Sequence, residues 1–258
     1  MGRFVVLSVL ALVFLMLIPL PAPTLDILIA LNLILAIPIY FIVLYSRKIT
    51  DFSFLPIVLL GSSVFGLIIN ISAARLILTK GALFYGWIIR TVALAAAGSG
   101  EITRLIIAFA GFIAFAAVMV FMIARETAHI SEIAAWYILD TLPKKQLSID
   151  FEQNSGALTE EETIIRKNIL RRESDFVDTL DGTGKFIFIN AIICCFIAVV
   201  SILGGTAIDV LFRGKTFVDA VKTYIPLSIG SGALSLCHIV LLSIAAGWSI
   251  SKASDLEN

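Results

Sequence analysis

The chain has 258 residues, of which 59% are apolar and only 15% charged, and its mean hydropathy of +1.02 is far above what a water-soluble domain of this size carries. Basic and acidic side chains number 19 each, so the formal net charge is zero and binding of nucleic acid through bulk charge is excluded. These properties predict an all-α protein that crosses a membrane several times.

Six stretches are long and apolar enough to cross a hydrocarbon core, which takes about 20 residues: 4–20, 25–45, 52–78, 105–124, 186–212 and 225–250. The first is followed by Pro-Leu-Pro-Ala-Pro rather than a cleavage site, so we interpret it as a span and not as a signal peptide. The stretch 82–97 has Arg90 at its centre, and an arginine in mid-bilayer costs at least about 2.5 kcal/mol. We therefore expect it to be interfacial or re-entrant.

The predicted fold is a polytopic transmembrane helical bundle of about six spans, with up to eight membrane segments and one cytoplasmic helical loop. Residues 1–124 contain spans one to four, residues 125–185 form the charged loop, and residues 186–258 contain the last spans. The loop holds 20 of the 38 charged residues. Twelve lysines and arginines fall on its side of the membrane and six on the other, which predicts that both termini are cytoplasmic.

Within the loop, residues 129–140 are expected to form a helix that ends at Pro143, and residues 154–156 to form a turn. A second helix then begins with a capping box made by Thr159 and Glu162, and Glu162 is spaced to pair with Arg166. One face of this helix is apolar, either to pack on its own domain or to dock a partner: Ile165, Ile169, Phe176 and Leu180.

No motif for catalysis is evident. Residues 182–185, Gly-Thr-Gly-Lys, lack the first glycine and the final Ser or Thr of a phosphate loop. His129 and His238 are far apart in sequence, and the three cysteines lie in apolar runs without metal-ligand spacing. We therefore expect no enzymatic activity, no cofactor and no metal.

Six polar residues lie at membrane depth: Asp26, Asn32, Asn70, Arg75, Asn190 and Asp209. Ionisable groups there are candidates for function, whereas the asparagines are as readily explained by interhelical hydrogen bonds. Asp209 and Arg75 lie near span ends, so their side chains are expected to reach the interface.

Asp181 and Lys185 stand one helical turn apart where the charged loop enters the fifth span. They are either an ordinary boundary ion pair or a group that responds to protons.

The loop carries an extended signature. Residues 131–150 read Ser-Glu-Ile-Ala-Ala-Trp-Tyr-Ile-Leu-Asp-Thr-Leu-Pro-Lys-Lys-Gln-Leu-Ser-Ile-Asp, which resembles the pattern AEVxARFxLDxMPGKQMxID of the FHIPEP family, the FlhA/SctV-type export gate of flagellar and virulence type III secretion. Further matches occur in the family order, at residues 154–156, 173–176, 181–186, 228–232 and 243–247, and upstream around Asp26, Pro56 and Asn70.

This resemblance implies a ring, nonameric in the family, in the bacterial inner membrane. It implies contacts with other export-apparatus membrane subunits and with exported protein substrates, coupling to the proton-motive force, and no binding of nucleic acid. By this resemblance, Asp181 and Lys185 are the first candidates for residues that take part in proton coupling. The signature residues of the loop are the candidates for a role in subunit assembly or in coupling: Glu132, Asp140, Pro143, Lys145, Gln146, Asp150 and Asp175. We also expect this chain to lack the large C-terminal cytoplasmic domain of the family.

The sequence departs from the family pattern mainly by losing charge, at Gly66, His129, Trp136, Asn190, Ser231, Leu236 and His238. Two other functions therefore stay open. One is a secondary transporter or ion channel for a small solute, suggested by Asp26, Asn70 and Asp209. The other is an assembly subunit of the export apparatus that does not couple energy.

Overall fold

The computed structural model describes residues 20–45, 54–98 and 101–255, and all regular structure in these ranges is helical. Five helices are long and apolar enough to cross a membrane: α1 (Ala22–Tyr45), α2 (Leu55–Lys80), α4 (Ile102–Trp136), α6 (Glu160–Phe212) and α7 (Phe217–Asp255). They confirm the predicted helical bundle and correspond to five of the six predicted spans. The remaining one, 4–20, lies outside the described residues except for Leu20.

The stretch around Arg90 forms a short helix, α3 (Trp87–Ala97), after a 3₁₀ turn at Gly81–Leu83. Eleven residues rise only about 16 Å, roughly half of the hydrocarbon core. The helix is therefore too short to cross the hydrocarbon core, and Arg90 is exposed while Ile89 and Ala93 are buried.

Residues 125–185, the segment rich in charge, form a helical hairpin that continues two of the spans. We call it the charged hairpin. A π-helical turn, Tyr137–Thr141, joins α4 to α5 (Leu142–Asn154), and α6 then runs for 53 residues, about 80 Å. The domain boundaries expected at 125 and 185 thus fall inside α4 and α6. The prediction that Pro143 ends a helix is wrong, because Pro143 lies in the first turn of α5, where no N–H is needed.

The turn at the tip of the hairpin forms as the local sequence predicts. Asn154 ends α5, and Gly156 adopts a left-handed φ of 76° in the turn. Thr159 Oγ1 and Glu162 form the predicted capping box. The apolar row of α6 divides: its last two members, Phe176 and Leu180, are buried with Ile130 of α4, whereas the first two are exposed. Its second half therefore serves the packing of this chain.

Helix α7 is the centre of the bundle, since it packs against α1, α2, α3, α4 and α6. In its most apolar 18-residue stretch 67% of the residues are buried, against 11% in α4. Small residues allow this crowding: at Gly230 a Cβ atom would strike the backbone of Ile89 and Ala93 in α3.

The buried apolar side chains form two cores, one towards each end of the bundle. The first includes Leu59, Leu180 and Leu242 and continues into the charged hairpin, and the second includes Leu25, Ile77 and Tyr224. Buried polar residues of α1, α2 and α7 meet at one small cavity in the bundle: Asn32, Asn70, Ser231 and His238. A polar layer thus crosses the middle of an otherwise apolar bundle.

Candidate functional site

Asp181 and Lys185 form the predicted ion pair, with 2.6 Å between Lys185 Nζ and Asp181 Oδ2. The other carboxylate oxygen, Oδ1, accepts a hydrogen bond of 2.5 Å from Ser131 Oγ on α4. The Asp181 side chain is 20% exposed and that of Lys185 58%, so the carboxylate is largely covered while the ammonium group reaches solvent. Through its bond with Ser131, Asp181 therefore links α6 to α4 where the charged hairpin meets the spans.

Two threonines strengthen this junction. Thr127 Oγ1 donates to the carbonyl of Gly184 at 3.2 Å, and Thr183 Oγ1 lies 3.4 Å from the carbonyl of Pro56 on α2. Gly184 is also crowded, because a Cβ atom there would lie 3.2 Å from Ile130. The ion pair and the two threonine contacts therefore lie at a point where α2, α4 and α6 are held together.

The family signature folds into a second cluster, around Glu173. Its Oε2 accepts a hydrogen bond of 3.1 Å from Tyr137 Oη and lies 3.3 Å from Lys145 Nζ, and the Lys145 ammonium stands 5.6 Å from the centre of the Tyr137 ring. The cluster joins the π-helical turn, α5 and α6. Sequence reasoning selected Lys145 but missed Glu173 and Tyr137 as its partners, although both lie in stretches that match the family.

The other selected hairpin residues are not gathered into one site. Asp150 pairs with Lys167 at 2.8 Å, which joins α5 to α6, and Asp140 pairs with Lys144 at 2.7 Å on the surface of one helix. Gln146, Asp150 and Asp175 line an open groove of about 400 Å³ between α5 and α6, and Glu132 and Pro143 are exposed. Arg166 pairs with Glu152 at 2.7 Å instead of the expected Glu162, which its capping box engages.

Asp26 has a specific structural role. Its carboxylate oxygens accept hydrogen bonds from the backbone N–H groups of Trp87, at 2.7 Å, and Ile88, at 3.2 Å. These are unpaired donors at the start of α3, so Asp26 caps that helix from α1 and places a negative charge at its positive end.

Asp209 is fully buried, contrary to the expectation that it reaches the interface. Arg213 Nη1 and Lys215 Nζ each lie 2.7 Å from its oxygens, and Tyr224 Oη donates to it at 3.1 Å. Because both cations follow the end of α6, they fold back over the carboxylate and bring its counter-charge to it. Arg75 is half-buried and lines an open cavity of about 730 Å³ beside Lys80 and Tyr85.

The three asparagines belong to the polar layer. Asn190 Nδ2 donates to the carbonyl and hydroxyl oxygens of Ser63 on α2, at 3.1 and 2.9 Å, which is the interhelical hydrogen bond that the sequence suggests. Asn32 and Asn70 line a small cavity of about 20 Å³, and that cavity also contacts His238. Three positions that depart from the family pattern, Gly66, Ser231 and His238, meet there.

Comparison with known proteins gives a consistent result. The FHIPEP family model matches residues 12–258. The chain is 42% identical over 252 residues to the Flagellar biosynthesis protein FlhA of Treponema pallidum, covering 98% of this chain and 36% of that protein. It is 40% identical to the protein of the same name in Borreliella burgdorferi, with 91% and 34% covered, and 32% identical to the Low calcium response locus protein D of Yersinia pestis, with 96% and 34% covered.

The chain thus spans about a third of the length of these curated relatives. No solved structure matches it.

Proposed function

Because this chain belongs to the FHIPEP family, we propose that it is a membrane component of a type III protein export gate, which helps pass unfolded proteins across the bacterial inner membrane. The observation that carries the proposal is the family match over nearly the whole chain, signature hairpin included. Flagellar biosynthesis, named for two of the relatives, is a process that requires protein export.

The charged hairpin supports a role in coupling. It is continuous with α4 and α6, so a change in its position is transmitted directly to two spans. Asp181 and Lys185 lie where hairpin and spans meet, and a proton on Asp181 would remove the charge that holds Lys185. We infer that this contact responds to the proton-motive force.

We further infer that several copies form a ring, with both termini and the hairpin in the cytoplasm. Apolar side chains of the hairpin remain open for neighbouring subunits, among them Leu147, Phe151 and Ile165. Other membrane subunits of the export apparatus and the exported proteins are the expected partners.

Deletion of the gene in its own cell tests the function. We expect secretion substrates to disappear from the culture medium and to return when the intact chain is supplied. Electron microscopy of the solubilised protein together with its native membrane partners should show rings. Normal secretion after deletion would refute the export function, and monomers alone would refute the ring.

Solute transport is less well supported by the geometry. Asp26 caps α3 and Asp209 is engaged by three partners, so neither is available to bind a solute. The central cavity, at about 20 Å³, has room for little more than one water molecule. Uptake of a small solute by liposomes containing the purified protein would favour this alternative instead.

A non-coupling assembly subunit makes a different prediction from an energy-coupled gate. In that case deletion would still abolish secretion, but charge changes at Asp181 would not. The Asp181→Asn variant described below separates the two.

A further inference from the structure

His238 lies in the polar layer at the middle of α7 and is 2% exposed. On one side of its ring, Nε2 is 3.4 Å from the carbonyl oxygen of Ser62 and 3.5 Å from the Ser62 hydroxyl on α2. On the other side, Nδ1 is buried and has no hydrogen-bonding partner in the chain. A buried ring nitrogen of this kind needs a partner.

A second such atom faces the same cavity. Asn32 on α1 is 6% exposed, and its Oδ1 is also buried without a partner. Both side chains line the cavity of about 20 Å³, which exceeds the roughly 10–15 Å³ that a water molecule needs. Two residues from different helices, each with one unpartnered polar atom, therefore line a space of the right size for one water.

The absence of a side chain at Gly66 makes this convergence possible. A Cβ atom there would lie 3.0 Å from His238 Cδ2 and 3.0 Å from Asn32 Nδ2, closer than ordinary contacts. Gly66 thus lets the imidazole of α7 and the amide of α1 meet across α2.

Hydrogen-bonding roles around the ring are mutually consistent. With its proton on Nε2, the neutral imidazole donates to the Ser62 carbonyl and can accept at Nδ1. A water in the cavity can donate one hydrogen to Nδ1 and the other to Asn32 Oδ1. One water therefore satisfies both buried atoms.

No other residue that lines this cavity, among those the structure describes, carries a charge or titrates near neutral pH. On the neighbouring turns of α6 and α7 the titratable groups are thiols: Cys194 contacts the carbonyl of Gly232 at 3.8 Å, and Cys237 is exposed. His238 is therefore the one titratable side chain among the described residues that line the cavity.

We propose that this cavity is a proton-binding site inside the membrane bundle, made of His238 and one water molecule held by Asn32. Uptake adds one proton to Nδ1, delivered from bulk solvent through the bound water. The imidazolium then donates to the Ser62 carbonyl and to the water oxygen, while the water still donates to Asn32. The site extends the proposed function by naming a group that can carry a proton, and its test does not depend on export.

The chain has only two histidines, so solid-state NMR of ¹⁵N-histidine protein in liposomes can resolve the site directly. His129→Gln removes the signal of the exposed histidine and leaves that of His238. We expect an Nε2–H tautomer at neutral pH, contact between Nδ1 and water protons, and conversion to imidazolium on acidification from about pH 8 to about pH 4. A dry Nδ1, or a ring that stays neutral while the protein remains folded, would overturn the proposal.

Two variants test the geometry. Asn32→Leu keeps a similar volume but removes the acceptor, so the contact of Nδ1 with water should be lost. Gly66→Ala should move the His238 signal, whereas Gly61→Ala, where nothing lies within 4 Å of the added carbon, should not. An unchanged water contact in Asn32→Leu would contradict the assigned role of Asn32.

Discussion

Asp181 and Asp209 of α6 are each followed by a basic residue four positions later, but their surroundings give them different roles. Asp181 is partly exposed and has one cation, which itself reaches solvent. Asp209 is fully buried and is held by two cations and a tyrosine. Loss of the first charge would affect one cation that already reaches solvent, whereas the second carboxylate is a fixed part of the structure.

For Asp181→Asn we expect export to fall to the level of the deletion strain, while the amount of protein in the membrane stays normal. An amide can neither hold the charge that binds Lys185 nor take up a proton. Secreted protein in the medium and protein in isolated membranes are the two measurements. Asp178→Asn, at an exposed position of the same helix, is the matched control and should secrete normally. Full secretion by Asp181→Asn would remove this residue from the proton path.

Asp209→Asn should lower the free energy of unfolding by about 3 kcal/mol, because two cations near a buried site lose their counter-charge. We place the loss at the lower end of the usual range since Arg213 and Lys215 are about one-third exposed. Tyr224→Phe removes one hydrogen bond from the same group and should cost about 1 kcal/mol. Unfolding in a detergent titration compares the two, and equal losses would mean that the charge pairs contribute nothing.

Among contacts between single residues, the sequence predicts pairs within one helix but not pairs between helices. The Asp181–Lys185 pair follows from spacing alone. The burial of Asp209 depends on Tyr224 and on a chain that folds back after α6, and the site at His238 depends on a gap at Gly66 in another helix. Such contacts arise only when the bundle packs.

Among the elements, α3 depends on close contact with α7. Gly230 carries no side chain at the point where the backbone of Ile89 and Ala93 passes. Backbone atoms cannot rotate away as a flexible side chain can, so a methyl group at this position has no room.

Gly230→Ala should therefore separate α3 from α7 and destabilise the protein by about 1–3 kcal/mol, the usual cost of overpacking. Faster hydrogen exchange across residues 87–97 would report the separation. Gly61→Ala, where the added carbon meets nothing within 4 Å, is the control. If both variants exchange like the parent protein, the packing of α3 described above is wrong.

The charged hairpin is stabilised at its turn of π-helix by the cluster around Glu173. Lys145 of this cluster and the adjacent Lys144 offer a matched comparison. Lys145 joins α5 to α6, whereas Lys144 pairs within a single exposed turn. The neighbouring positions have the same residue type and differ only in their partners.

Lys145→Ala should weaken the docking of α5 on α6 by about 1 kcal/mol, the sum of a partly exposed ion pair and a cation–π contact. Hydrogen exchange in residues 142–154 should become about fivefold faster. Lys144→Ala should leave exchange unchanged. The opposite ranking would mean that the Lys145–Glu173 pair does not hold α5 on α6.

The sequence predicts some features of the charged hairpin correctly and others incorrectly. The capping box and the turn at residues 154–156 are encoded within a few residues and are confirmed. The end of the first helix at Pro143 and the Glu162–Arg166 pair are wrong, because a proline is equally compatible with a helix start and because Glu152 approaches Arg166 from another helix.

In the whole molecule, the two carboxylates that flank the apolar part of α6 lie far apart. Asp181 and Asp209 are separated by 28 residues of one continuous helix, about 42 Å, which exceeds the hydrocarbon core. The charged hairpin and the loop before α7 therefore lie on opposite sides of the membrane. Hydropathy alone predicts this architecture well, because a bilayer demands long apolar helices.

The orientation can be tested by cysteine labelling in a background without native cysteines. Ser155→Cys, in the turn of the hairpin, should react with an impermeant maleimide only after the membrane is opened. Thr216→Cys, in the loop before α7, should react in intact spheroplasts. The excess of lysine and arginine on the hairpin side is the physical reason. The reverse pattern would invert the proposed topology.

The central position of α7 has a consequence for biogenesis. Among the described helices α7 is last in the sequence, so it leaves the ribosome after the partners that it contacts, α1, α2, α3, α4 and α6. Until it inserts, the short helix α3 lacks its main packing partner, and the polar layer lacks Ser231 and His238. Complete packing of these helices therefore waits for α7.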